Sequence, residues 1–468
     1  MFPHFRCAGS GSGFVVPALT LASLAAGLAG QESKPAPART DAQKALDEAL
    51  RDLPQDAPRR GGDAIASAPL GGATLKLLDV SLNALVSVGT STERDAGLES
   101  LQAGAHDPRK RGFTFQQAEL SLIGAVDPYF KLESHLIFGL DPYEGETEVE
   151  LEELFATSTS LPAGLQLKLG HYFTEFGRLN AQHPHQWDWQ DAPVITSRLF
   201  GPDGMRAPGA RLGWLTPAPF FLEVLGGVQN ANGETMASFL ANEEYFAERG
   251  VAGRLFTERD VRSLGDVAWS MRVHGGLDLS ETVHAAFGVS GLYGPNATGG
   301  EGDTWIYGAD LKVKWQPLDQ QRGWPFVIWQ SEFLRRAYDA DAQVDDRGTA
   351  DPGDDVSLAA RGLTDWGVYT QLLWGLQPDW ALGVRYDYAT GNGDLYDREN
   401  GVFVSRDLDP FRNDRHRVSP MVVWHASEFS RIRLQYNYDR AEHLHADEAH
   451  SVWLGFEFLI GAHPAHTY

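Results

Sequence analysis

The feature that most constrains this chain is a hydrophobic period of two, repeated from Leu75 to the end. Val80, Leu82, Ala84, Val86 and Val88 alternate with Asp79, Ser81, Asn83, Leu85 and Ser87. Trp305, Tyr307, Ala309, Leu311, Val313 and Trp315 alternate with Ile306, Gly308, Asp310, Lys312 and Lys314. Successive side chains of a strand point to opposite faces, so each segment reads as a strand with one apolar and one polar face. Sixteen such segments are predicted: 75–88, 114–126, 129–138, 149–160, 165–173, 207–215, 220–228, 267–279, 283–293, 304–315, 326–337, 365–376, 380–389, 416–426, 431–439 and 451–460. Each is about ten residues long, the length a tilted strand needs to cross a bilayer.

The connections alternate as well. Short turns such as Asp127-Pro128, 161–164 and 377–379 alternate with long loops at 89–113, 174–206, 229–266, 338–364 and 390–415. Short turns on one side and long loops on the other predict a closed all-β antiparallel transmembrane β-barrel of about 16 strands over residues 74–468. Both chain ends then fall on the periplasmic, short-turn side, and the location is the outer membrane. Trp214, Phe220, Trp315, Trp324, Trp374 and Trp380 beside the short turns, and Tyr293, Trp305, Tyr388 and Tyr438 near the outer strand ends, fit interfacial girdles. A mean hydropathy of −0.29 excludes a helical membrane protein, while a barrel with one wet face accommodates it.

Residues 1–29 read as a secretory signal peptide: Arg6 precedes an apolar run from Phe14 to Ala29, and Gly27 and Ala29 offer small residues for cleavage. Residues 30–73 read as a periplasmic spacer carrying a short helix with Leu46, Ala49, Leu50 and Leu53 on one face. The single Cys7 excludes a disulfide scaffold. With 39 Lys and Arg against 63 Asp and Glu, a net charge of −24 argues against nucleic acid as a partner. The expected surroundings are outer-membrane lipid and lipopolysaccharide, with the barrel-assembly machinery needed for insertion and a homotrimer as the assembly.

The register turns Glu119, Lys131, Glu133, His135, Lys168, Arg211, Glu223, Arg272, Asp310, Lys312, Lys314, Glu332, Arg385, Asp387 and Arg433 inward. Sixteen strands enclose an aqueous channel, so these are expected to be mostly solvated wall residues. The lumen candidates among them are Lys131, Glu133, Arg211, Asp310, Lys312, Arg385, Asp387 and Arg433. The 174–206 loop joins strands five and six and carries the aromatic, Gly and Pro content of a compact insert. It is expected to constrict the pore with Glu175, Arg178, His183, His185, Asp188 and Asp191. Acids outnumber bases in this loop and in the sixth outer loop, so the mouth is expected to favour cations weakly.

The segment Gly170-His171-Tyr172-Phe173-Thr174-Glu175-Phe176-Gly177-Arg178, leading to His183-Pro184-His185, resembles the phosphate-selective porin O/P group of outer-membrane proteins. The ending Gly461-Ala462-His463-Pro464-Ala465-His466-Thr467-Tyr468 is similar to the related zinc-regulated outer-membrane receptors. The first resemblance implies a porin-like channel for passive diffusion of small solutes or ions. The second implies the alternative, an uptake protein for metal ions such as zinc. His443, His445 and His450 in the last outer loop are the metal candidates, since close imidazoles with carboxylates suit Zn²⁺. No resident cofactor is expected otherwise. The chain has no P-loop, no Gly-x-Ser-x-Gly and no His-Glu-x-x-His, and the expectation is a protein that is not an enzyme.

Overall fold

The structure is a computed structural model that describes residues 66–70, 73–101, 104–141 and 145–461. The expected signal peptide, most of the spacer with its helix, and the tail beyond Gly461 lie outside the described residues. No helix among the described residues is long and apolar enough to cross a membrane, which says nothing of a β-barrel.

Every segment that alternates in the sequence is a strand. We number the barrel strands β1 (Ala73–Ser91), β2 (Gly112–Ala125), β3 (Phe130–Leu140), β4 (Thr147–Ser158), β5 (Leu165–Phe173), β6 (Arg206–Leu215), β7 (Phe221–Asn230) and β8 (Val267–Ser280). They continue as β9 (Val283–Pro295), β10 (Asp303–Trp315), β11 (Phe326–Ala340), β12 (Arg361–Gln377), β13 (Trp380–Gly391), β14 (Arg415–Ser427), β15 (Ser430–Ala441) and β16 (Glu448–Gly461). Each pairs antiparallel with its predecessor, and β16 returns to β1 with Ser81 opposite Gly461 and Ser91 opposite Ser451. Closure removes the sheet edges that hydrocarbon could not hydrogen-bond. A short strand, Ala66–Leu70, folds back on the start of β1, so strand structure begins within the segment read as spacer.

The period-two pattern sorts side chains as expected. Leu132, Leu169, Leu212, Met271, Val289, Leu372, Leu382 and Leu434 are exposed on the outside of the barrel. An apolar belt of this extent is unstable in water and at home in lipid. This is an outer-membrane barrel. Trp214, Trp315, Trp374 and Trp380 are exposed as interfacial girdles require, but Trp324 is not one of them. The turn at 316–325, between β10 and β11, folds Trp324 inward, where it is buried with Trp189, Phe326, Leu373, Met421 and Val423.

The first outer loop carries a short helix α1 (Asp95–Leu101), and two further outer loops fold into the lumen and occupy much of it. The third, between β5 and β6, carries a helix α2 (Val194–Phe200) every residue of which is buried. The fourth, between β7 and β8, carries a helix α3 (Glu243–Arg249) capped by the Asn242 side chain. Phe176, Ile195, Leu199 and Phe200 of the third loop pack with Met236, Phe239 and Leu240 of the fourth and with Ile306 and Leu334 of the wall. This apolar cluster sits at the outer half, and the Trp189–Trp324 cluster sits at the inner ends of β11 to β14.

Candidate functional site

The third loop crosses the lumen held at both walls, by ion pairs at Glu175, Arg178 and Asp191 and by hydrogen bonds to uncharged wall groups at Asp188 and Trp189. Glu175 takes Lys168 Nζ at 2.7 Å and Arg211 Nη2 at 2.7 Å. Gly177, at φ +58, turns the chain so closely over the wall that an added Cβ would lie 1.5 Å from Glu332 Oε1. Arg178 then reaches Asp310 at 3.0 Å. The loop meets the opposite wall through Trp189, whose Nε1 donates to the Ser419 carbonyl at 2.9 Å, and Asp188, which accepts from Gln371 at 3.1 Å. Asp191 accepts from Arg385 and Arg417, each at 2.7 Å, and from Gln435 and Asn437. Burial opposes its charge, yet Arg385 and Arg417 hold its carboxyl down at about 2. Asp387 accepts from the Val194 amide at the start of α2 at 3.3 Å.

The expectation that the inward-facing wall is mostly solvated is therefore corrected. Arg211, Asp310, Arg385, Asp387 and Arg433 are all buried, because the inserted loop brings them partners. Arg433 Nη1 donates to the carbonyls of Trp187 and Trp189, both at 3.0 Å. Lys131 pairs with Glu133 at 3.2 Å and keeps 44% of its side chain exposed, and Lys312 is half-buried. The inward residues named from the sequence leave out Arg415, Arg417, Arg431, Asp439 and Glu457, which complete the charge lattice, although alternation sets Asp439 on the same polar face as Arg433. The available signal was the Arg-x-Arg spacing at 415–417 and 431–433, which sets two guanidinium groups on one face of each strand.

The loop histidines enter a second cluster, on the β2–β4 wall. His183 Nδ1 lies 2.7 Å from Glu152 and its Nε2 lies 2.9 Å from Glu153. His185 Nδ1 lies 2.9 Å from Glu119 Oε2, and His135 Nδ1 lies 3.0 Å from Glu119 Oε1. Burial alone would lower the His183 pKa, but the Glu119 and Glu152 carboxylates raise it well above the usual imidazole range.

The last outer loop keeps its three histidines apart. His443 bridges Ser100 at 2.9 Å and Asn413 at 2.6 Å, His450 bonds the Tyr436 hydroxyl at 2.6 Å, and His445 is exposed. Burial, then Arg415 and Arg198, push His443 down to about 4.

On the outer side of the third loop lies a cavity of 580 Å³. Glu99, Asp107, Asp141, Glu148, Glu150, Asp203, Glu234, Glu244 and Glu248 line it, against Arg109, Arg249 and His106. Glu234 titrates above its usual range through burial and the nearby charges of Asp203, Glu150 and Glu244.

No protein-family model matches the sequence. An uncharacterized protein of Aquifex aeolicus (strain VF5) is 31% identical over 412 residues, covering 84% of this chain and 80% of that one. The chain belongs to the family of that protein. Solved structures similar in fold include the outer-membrane channel DcaP of Acinetobacter baumannii, at 9% identity and a TM-score of 0.49, covering 82% of this chain and 97% of that one. Pseudomonas putida OprB is 10% identical with a TM-score of 0.47, covering 82% and 94% of the two chains. An anion-selective porin from Comamonas acidovorans is 8% identical with a TM-score of 0.47, covering 82% and 100%.

Proposed function

We propose that this protein is a narrow outer-membrane channel for passive diffusion of small solutes, with a preference for cations. The observation that carries the reading is the third loop, held across a sixteen-strand lumen beneath an acidic vestibule. A pinned loop narrows the passage, and carboxylates crowded at its mouth raise the local concentration of cations and repel anions. The exposed Asp346, Asp351, Asp354 and Asp355 of the sixth outer loop extend the same sign outward.

The resemblance to the phosphate-selective porin O/P group would give a finer, anion-taking reading. Arg385, Arg417, Arg431 and Arg433 do line one wall, but Asp191, Asp387, Asp439 and Glu457 engage them. A phosphate would have to displace carboxylates already paired in a dry site. Among the described residues His443 and His450 bond different partners and His445 is exposed, so nothing there supports the alternative of a zinc receptor built on these three.

Lipid and lipopolysaccharide around the belt, insertion by the barrel-assembly machinery and assembly as a homotrimer complete the proposal. Chemical crosslinking in native membranes tests the last. Planar-bilayer recording tests the channel itself: discrete ohmic steps of low conductance support it, and a folded barrel that passes no current overturns it.

A further inference from the structure

We infer that Glu119, His135 and His183 form a binding site for one divalent transition-metal ion of the zinc class, which clamps the third loop to the barrel wall. Among the described residues these are the only three His, Cys, Asp or Glu side chains whose ligand atoms gather within 4.8 Å of one another. An ion with ligand distances of about 2.0–2.2 Å would take the place of the proton that holds His183 to its carboxylates, and that proton leaves to solvent on binding. Two imidazole nitrogens with a carboxylate suit zinc-class ions better than Mg²⁺ or Ca²⁺, which prefer all-oxygen sites.

The surroundings are built for such an ion. All three residues are buried, as are His185, Glu152 and Glu153 around them. Three carboxylates facing three imidazoles form an enclosed donor set rather than a solvated surface cluster. A bulge where β4 pairs with β3 lets the consecutive Glu152 and Glu153 both turn inward, where strict alternation would send one to lipid. His183 and His185 are set by a short helical turn in which the Gln186 side chain accepts from the His183 amide at 3.2 Å. Ser121 Oγ bonds Glu119 at 2.8 Å and His135 at 3.0 Å, the outer-shell support that fixes ligand orientation.

The acidic vestibule leads to the site. Ile137 and Glu150 line the vestibule, and His135 and Glu152 are the next inward positions of the same strands. Cations concentrated at the mouth are thus delivered one step above the ligands. The site stands whether or not the barrel conducts.

Isothermal titration of Zn²⁺ into the EDTA-stripped, folded full-length barrel tests the proposal. We expect one equivalent per chain, an affinity at least ~10-fold weaker in His135→Gln and Glu119→Gln, and no change in a combined His443→Ala, His445→Ala, His450→Ala variant. Because a variant can fail to fold, Co²⁺ absorption of the wild type gives a second readout, with intense visible bands marking a four-coordinate nitrogen-containing site. Absence of stoichiometric binding to folded wild type overturns the proposal. So does binding that survives both replacements, or binding lost only with the outer-loop histidines.

Discussion

Asp191, on the inserted loop, accepts a hydrogen bond from Arg417 of β14 at 2.7 Å across 226 residues of sequence, and both side chains are about 1% exposed or less. The pair joins a loop to the wall opposite the strands it connects. Removing one member of a buried ion pair leaves the other charge uncompensated at a cost of about 3–5 kcal/mol. Asp191→Ala takes one carboxylate from both Arg385 and Arg417, which keep Asp387 and Asp439, so its cost falls below that of a fully uncompensated charge. The expected outcome is a loosened loop, with larger and noisier single-channel steps and lost amide protection over residues 186–206. Unchanged conductance and protection would show that the loop is held elsewhere.

Trp189 is the apolar counterpart of that pin. Its indole occupies space where a Cβ on Gly383 would lie 2.9 Å from Cζ2. Trp189→Ala is expected to cost about 3–5 kcal/mol through lost burial and the cavity left behind. Gly383→Val is expected to expel the same ring from the other side. Urea midpoints in detergent should fall in both variants, with unfolding slopes unchanged.

The barrel was legible in the sequence because its two signals are local. Alternation marks each strand, and turn length marks which side of the membrane each connection faces. The predicted segments agree with all sixteen strands to within a few residues. How much of the interior the loops occupy was not legible. Alternation tells that Arg385 or Asp310 points inward, but not whether water or a loop meets it there. That depends on where residues 174–206 travel, which no short-range pattern encodes. Bulges defeat alternation directly, and the one at Glu152 conceals half of the His183 environment. The spacing of His443, His445 and His450 suggested a cluster, yet loop spacing does not fix direction: His443 meets Ser100 and Asn413, His450 meets Tyr436, and His445 is exposed. Trp324 was misplaced for a related reason: proximity to a turn implies an interface only when the turn does not fold inward.

The vestibule carries a pH-sensitive contact. Asp107 accepts from the amides of Gly104 at 3.1 Å and Ala192 at 3.0 Å, tying the first outer loop to the third. Burial, then the neighbouring Asp191 charge, push its carboxyl up to about 6 from an ordinary 3.8. A group with a raised folded pKa stabilises most when protonated, so its contribution is complete below 3.8 and fades as pH rises through about 6. The amides of Gly104 and Ala192 favour the ionised carboxylate, but burial and Asp191 outweigh them, so the urea midpoint of the barrel should be higher at acidic than at neutral pH. Asp107→Asn should flatten that dependence, and an equal slope in the variant would assign it to another group.

Ion preference should follow the vestibule acids that do not hold the loop. Replacing Glu148, Glu234, Glu244 and Glu248 together with Gln removes four charges from the cavity lining. Cation preference is expected to weaken, and most at low salt, where screening is least. Conductance at high salt should change little, because the loop keeps its anchors. A loss of folding or of the channel itself would mean that these residues are structural.

The most direct test is the reversal potential of the wild-type channel in a tenfold KCl gradient across a planar bilayer. A narrow passage beneath an acidic vestibule predicts a potential of the sign set by K⁺ moving down its gradient, shrinking as total salt is raised. A reversal potential of the opposite sign, reporting Cl⁻ preference, would contradict the account.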